Sequence, residues 1–214
     1  MEQVIVDNIT IEPDRAEVIR LLGRKDGQRE KLTEKVDMEI EEALSEANGL
    51  IDPKGIYLIT AGKNLPGSTI FDDLEKVAFC ICTIGPALEE RVSALSQSGK
   101  LLKAVILDSV GSVCAEATAS FIDRVIADKA AEIKLKTSCR ASPGYGDWNI
   151  KEQRSIFDLL DGGKIGVSLS PGSMMIPRKS VSFAIDISEK PARIRSENSC
   201  RNCDLDTCSY RLEE

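Results

Sequence analysis

The sequence predicts an α+β fold: a twisted, mainly antiparallel sheet packed with long helices. Three observations carry this. Residues 29–47 and 100–133 show long stretches of helical character. Residues 55–60, 77–83 and 180–187 read as strands, rich in β-branched and aromatic side chains. A Gly-rich strand-turn-helix fingerprint is missing, so the doubly wound fold common among methyl-transferring enzymes is not supported.

Taken in order, residues 14–22 read as a short helix with Val18, Ile19, Leu21 and Leu22 on its apolar side and Gly23 as its stop. Residues 29–47 place Leu32, Val36, Ile40, Ala43, Leu44 and Ala47 close to a 3.6-residue period. Their opposite face is rich in Glu and Lys, which fits either a solvated surface or one that meets a partner protein. The strand GIYLIT (55–60) leads into a loop with Gly62, Pro66 and Gly67, and VAFCICT (77–83) is apolar enough to be buried on both faces. Gly85-Pro86 ends that strand and opens a helix through Leu95, with proline suited to its first turn.

Residues 100–133 form the longest helical stretch, expected to break or bend near Gly111. Small residues there (Gly111, Ser112, Ala115, Ala117, Ala119 and Ser120) allow close packing, and Asp108 and Glu116 lie on broadly similar faces. These read as two solvated acids; the functional reading has Glu116 facing a sulfonium or adenosyl ligand whose positive charge it would complement. Residues 150–160 read as an amphipathic helix stopped by Asp161-Gly162-Gly163. Residues 164–169 and 180–187 alternate as paired strands around a turn at Ser170-Pro171-Gly172-Ser173. Met174-Met175-Ile176 supplies soft apolar surface, of a kind found more often in a core than in a ligand wall.

With 214 residues, 42% hydrophobic and 29% charged, the composition is that of an ordinary soluble domain. A formal charge of -7 argues against nucleic-acid binding, and no apolar run reads as membrane-spanning. The N-terminus carries no basic signal region, which predicts a cytoplasmic protein. Histidine is absent, which excludes His-activated nucleophiles, His-ligated metal and imidazole ligation of a cobalt. Seven cysteines without a secretory signal do not read as a disulfide framework. Cys80, Cys82 and Cys114 read as reduced core residues, and Cys139 as structural rather than reactive.

Between the helical and strand-rich halves lies Arg140-Ala141-Ser142-Pro143-Gly144-Tyr145-Gly146-Asp147-Trp148, with the single Trp of the chain. Pro143 fixes its own φ and restricts Ser142, and Gly144 permits geometries closed to other residues. Two readings fit. One is a tight turn capping a sheet with Trp148 in the core. The other is an exposed, rigid loop with free backbone groups, from which Arg140, Ser142 and Tyr145 point at one small ligand.

This loop, with Gln153, Ile165-Gly166-Val167, Met175-Ile176-Pro177-Arg178-Lys179-Ser180-Val181 and the upstream Asp108-Ser109-Val110-Gly111-Ser112 and Ala115-Glu116-Ala117, resembles the activation domain of cobalamin-dependent methionine synthase. The likeness runs from about residue 83 to 183, in several separated motifs in the same order. It implies an S-adenosylmethionine-binding domain in which Glu116, Arg140, Ser142 and Tyr145 touch the ligand. Arg140 would take the carboxylate of the methionine moiety and Glu116 its cationic amino or sulfonium region. It further implies a methyltransferase component for methionine biosynthesis, inactive without its partner. That partner would be a corrinoid-binding methionine synthase subunit or another corrinoid protein, whose cobalamin is reductively methylated with an electron from flavodoxin or ferredoxin. Such activation domains usually end long multidomain chains, so this chain resembles a free-standing form.

The expected organisation is a ligand-binding domain over residues 1–188 and a cysteine-bearing tail over 189–214, which follows no pattern of the family. Cys200, Cys203 and Cys208 place three thiolates within nine residues, a possible zinc or iron–sulfur ligand set lacking its fourth member. A reduced, solvated tail is the other reading. A protein that serves corrinoid activation as a cysteine-tail metal or iron–sulfur adaptor, without binding S-adenosylmethionine, is the alternative function.

Overall fold

The structure is a computed structural model describing residues 2–23, 33–145 and 148–191. The proposed cysteine ligands Cys200, Cys203 and Cys208 lie outside the described residues. Five strands make one antiparallel sheet in the order β1 (Val4–Val6), β2 (Lys54–Thr60), β3 (Val77–Thr83), β7 (Ser180–Ser188) and β4 (Lys136–Thr137). The helices are α1 (Arg15–Leu21), α2 (Glu34–Asn48), α3 (Ala87–Gln97), α4 (Leu101–Glu132) and α5 (Gln153–Leu159). Mixed helix and antiparallel sheet, with one long helix, is the architecture the sequence predicts.

Local chemistry sets the helix ends. The Asp14 carboxylate accepts from the Ala16 N–H at 2.8 Å, and the Thr33 hydroxyl from the Val36 N–H at 3.4 Å, each capping donors that the first turn leaves free. Alternation along β3 sends Val77, Phe79 and Ile81 to one face and Ala78, Cys80 and Cys82 to the other, and all are buried. The first set packs with Trp148, Ile156, Leu160 and Val167, while the second packs with Ala119, Ile122 and Ile126 of α4. The N-terminal half of α4 belongs to a third cluster with α1, α2 and α3. One helix thus runs from a helical layer onto the sheet.

Several sequence expectations need correction. Helix α4 passes unbroken through Gly111. A Cβ there would lie 2.5 Å from Leu88 Cδ2, so this glycine is a notch for α3 rather than a hinge. Residues 164–169 do not pair with 180–187. Residues Gly162–Ile165 form a 3-10 turn, closed by Gly166 at φ 75°, and the short β5 (Ser168–Leu169) pairs instead with β6 (Met175–Ile176). Met174 and Ile176 are exposed rather than core, and only Met175 packs against the Trp148 cluster. Contrary to the expectation that no apolar run is membrane-spanning, helix α4 is by length and composition apolar enough to cross a membrane; 56% of its most apolar window is buried inside the fold. The edge strands β1 and β4 were not anticipated.

Candidate functional site

The central loop satisfies both of its readings in part. Ala141 exchanges two backbone hydrogen bonds with Ala184, of 2.9 and 2.8 Å, which fastens the loop to β7. Gly144, at φ 92°, donates to the Trp148 carbonyl at 2.7 Å, and the Tyr145 N–H donates to the Ser142 carbonyl at 3.2 Å. These donors turn inward, contrary to the expectation of free backbone groups. Trp148 is 1% exposed and meets the Phe71 ring edge-on, centroids 4.8 Å apart. Anchored by proline, sheet and indole, the loop holds Ser142 half-buried and Tyr145 exposed.

Arg140 and Glu116 meet. The Arg140 Nη2 lies 3.1 Å from Glu116 Oε2, its Nε lies 4.0 Å from Asp123 Oδ2, and its guanidinium sits 5.5 Å from the centre of the Phe183 ring. Helix α4 supplies both acids, seven residues and about two turns apart. That spacing could have revealed Asp123 from the sequence. Burial pushes the Asp123 carboxyl above its usual range, and the neighbouring Arg140 pulls it back. The side chains of Ser142 and Tyr145 form no hydrogen bond among the described residues, and neither residue lines the groove that begins at Glu116.

Beneath Arg140 the sheet presents Cys80 and Cys82, both wholly buried. Burial pushes the Cys82 thiol to about 12, and that of Cys80 well above its ordinary value. Burial likewise moves Cys114 to about 11. These thiols are inert core residues, as the sequence suggested. Cys139, by contrast, is exposed. Among the described residues no group of His, Cys, Asp and Glu is placed to hold a metal ion.

From Glu116 a groove of about 290 Å³ runs between α4 and the start of β7, lined by Asp108, Ser112, Glu116, Arg178, Lys179 and Val181, among others. Lys179 is fixed across it, 2.9 Å from Asp108 and donating to the Ser112 hydroxyl at 2.8 Å. Ser180 secures the groove's end: its hydroxyl donates to the Pro177 carbonyl at 2.7 Å and lies in hydrogen-bond contact with the Thr83 hydroxyl at 2.9 Å. Gln153, buried at the head of α5, donates to the Ser173 carbonyl at 3.0 Å and accepts from Ser182 at 3.3 Å, tying the β5–β6 hairpin to the sheet. The sequence singles out Asp108 and marks Ser112 only as a small packing residue, with no separate role for Arg178 or Lys179. Their convergence depends on long-range pairing that no local pattern records.

No family model and no curated protein matches the sequence. Among solved structures the chain is similar to the crystal structure of the MetH reactivation domain bound to AdoHcy. The TM-score is 0.69 at 13% identity, over 91% of this chain and 81% of that one. The fold is therefore that of a methionine synthase reactivation domain.

Proposed function

We propose that this chain binds S-adenosylmethionine and supports reductive methylation of the cobalt in a partner cobalamin-dependent methionine synthase or corrinoid protein. The observation that carries the reading is the Arg140–Glu116 pair at the junction of the anchored loop and the groove. The crystal structure with the same fold holds AdoHcy, the demethylated form of this ligand.

The residues fit such a ligand. Glu116 is 64% exposed in its side chain, and Asp108 and Asp123 lie on the same helix, so a cationic group meets negative charge here. Tyr145, 54% exposed, offers an open ring beside the loop, and Ser142 offers a hydroxyl two residues from Arg140. Arg140 and Glu116 face the charged methionine portion, while Ser142 and Tyr145 orient the nucleoside.

When bound, S-adenosylmethionine supplies an electrophilic methyl group on a sulfonium that is already a good leaving group. The chain's own contribution is positioning, which calls for rigid loops rather than a proton donor. A site without histidine is suited to that task. The cobalamin belongs to the partner, and the electron to a flavodoxin or ferredoxin.

Calorimetric titration with S-adenosylmethionine tests the reading. Saturable binding by the wild type, weakened in Arg140→Ala, is expected. Absence of binding, together with iron or zinc in anaerobically purified protein that is lost in Cys200→Ser, would replace it with the adaptor function.

A further inference from the structure

We propose that Cys139, Cys200, Cys203 and Cys208 together hold one zinc ion, which fastens the C-terminal tail to the edge of the sheet beside the central loop. This site goes beyond the ligand reading and does not depend on it.

The seven cysteines divide by their surroundings. Cys80, Cys82 and Cys114 are closed in the core, whereas Cys139 is exposed. Setting the core thiols aside leaves Cys139 and the three of the tail. Four is the number a closed tetrahedral zinc site takes, and the chain has no histidine to share it. The tail spacing, Cys-x2-Cys-x4-Cys, lies in the range of structural zinc sites. It follows neither ferredoxin order, Cys-x2-Cys-x2-Cys or Cys-x4-Cys-x2-Cys, which favours zinc over an iron–sulfur cluster.

The fold presents Cys139 for this. Thr137 pairs with Ile187 and Ala141 bridges to Ala184, so residues 138–140 face only Ile185 and Asp186 of β7. Such a bulge re-aims side chains. Arg140 turns toward Glu116 on α4, while Cys139 stays exposed. The main chain is fixed there. The Ser138 hydroxyl donates to the Cys139 carbonyl at 2.8 Å and accepts from the Asp186 N–H at 3.0 Å.

The tail departs from the same edge. Strand β7 ends at Ser188, which pairs with Lys136, three residues before Cys139. A strand spacing of about 5 Å and three residues along the strand put Ser188 about 11 Å from Cys139. Continuing to Pro191 adds at most about 10 Å. The nine residues from Pro191 to Cys200 span up to about 30 Å, enough to return to Cys139. Residues 189–201 carry Lys190, Arg193, Arg195 and Arg201 against Glu189 and Glu197. That surplus of cations offsets the negative charge that four thiolates leave on zinc(II).

X-ray absorption at the zinc edge tests the site on the full chain, purified under reducing conditions and loaded with zinc. Four sulfur neighbours at about 2.3 Å are expected in the wild type. Cys139→Ser should exchange one of them for a lighter atom and give up its zinc faster to a chelator. Cys114→Ala, at a core thiol, should keep all four. Circular dichroism checks the Cys139→Ser fold, which replacement of an exposed side chain leaves intact. A wild type that binds no zinc would overturn the site, and so would an equal sulfur count in wild type and Cys139→Ser. Iron with acid-labile sulfide in the anaerobically purified protein, in place of zinc, would overturn it as well.

Discussion

Replacing Arg140 with Ala separates a binding role from a structural one because the two losses have different sizes. The side chain is 25% exposed and touches Glu116, Asp123 and the Phe183 ring. Since Glu116 is 64% exposed, its ion pair contributes no more than about 1 kcal/mol to stability. The contact over Phe183 adds roughly 0.5–1 kcal/mol. The summed cost is thus about 0.5–2 kcal/mol, a fall of roughly 1–8 °C in Tm for a chain of this size. The acid Asp123 gives the loss a pH signature. Its carboxyl is already raised by burial, and losing Arg140 raises it further. A raised carboxyl in the fold lowers stability as pH climbs through the usual carboxylate range, so the variant's deficit should be largest at neutral pH and shrink on acidification. Binding should suffer more. A charge-assisted hydrogen bond to a ligand oxygen is worth about 1.5–3 kcal/mol, so affinity for S-adenosylmethionine should fall roughly ten- to hundredfold. Calorimetry at a temperature where both proteins are folded measures this. Unchanged affinity in a folded variant would refute the argument.

Other perturbations test neighbouring parts. Glu116→Gln should cost S-adenosylmethionine more affinity than S-adenosylhomocysteine, by roughly fivefold, because only the former carries the sulfonium charge; paired titrations of the two ligands check it. Gly62→Ala would set a Cβ 1.8 Å from the Phe71 carbonyl oxygen, a clash with backbone that no rotamer relieves. It should cost more than about 4 kcal/mol, read as a collapse of the urea midpoint. A thiol reagent applied to the native, zinc-free protein at neutral pH should modify the exposed Cys139 and spare Cys80, Cys82 and Cys114, whose thiols burial holds protonated. Peptide mass mapping reads the result, and rapid labelling of Cys82 would contradict the closed core.

What the sequence made legible was local. The strand Val77–Thr83 announces itself by seven consecutive residues with little polarity, and the long helix by its small and apolar composition. Arg140 and Glu116 were named from motifs, and the fold brings them within 3.1 Å. Elements held by tertiary pairing were not legible. β4 has two residues, Lys136 and Thr137, and exists because β7 offers it hydrogen-bonding edges. The alternation of 164–169 looked like a strand, yet Gly166 turns left-handed and directs Ile165 and Val167 into the Trp148 cluster. The groove escaped notice for a related reason. Arg178 and Lys179 stand in the sequence only as part of a motif, and it takes the register of β7 against β3 to set Lys179 opposite Asp108.

Trp148 has a practical consequence. It is the chain's one tryptophan, it closes the central loop through its backbone, and its indole Nε1 has no hydrogen-bond partner among the described residues. An unsolvated indole emits toward the blue, and a single emitter gives an unmixed spectrum. Any rearrangement that lets water reach the ring would shift that emission to the red. The loop therefore carries its own optical label, and stopped-flow fluorescence can time its response to ligand without altering a single residue.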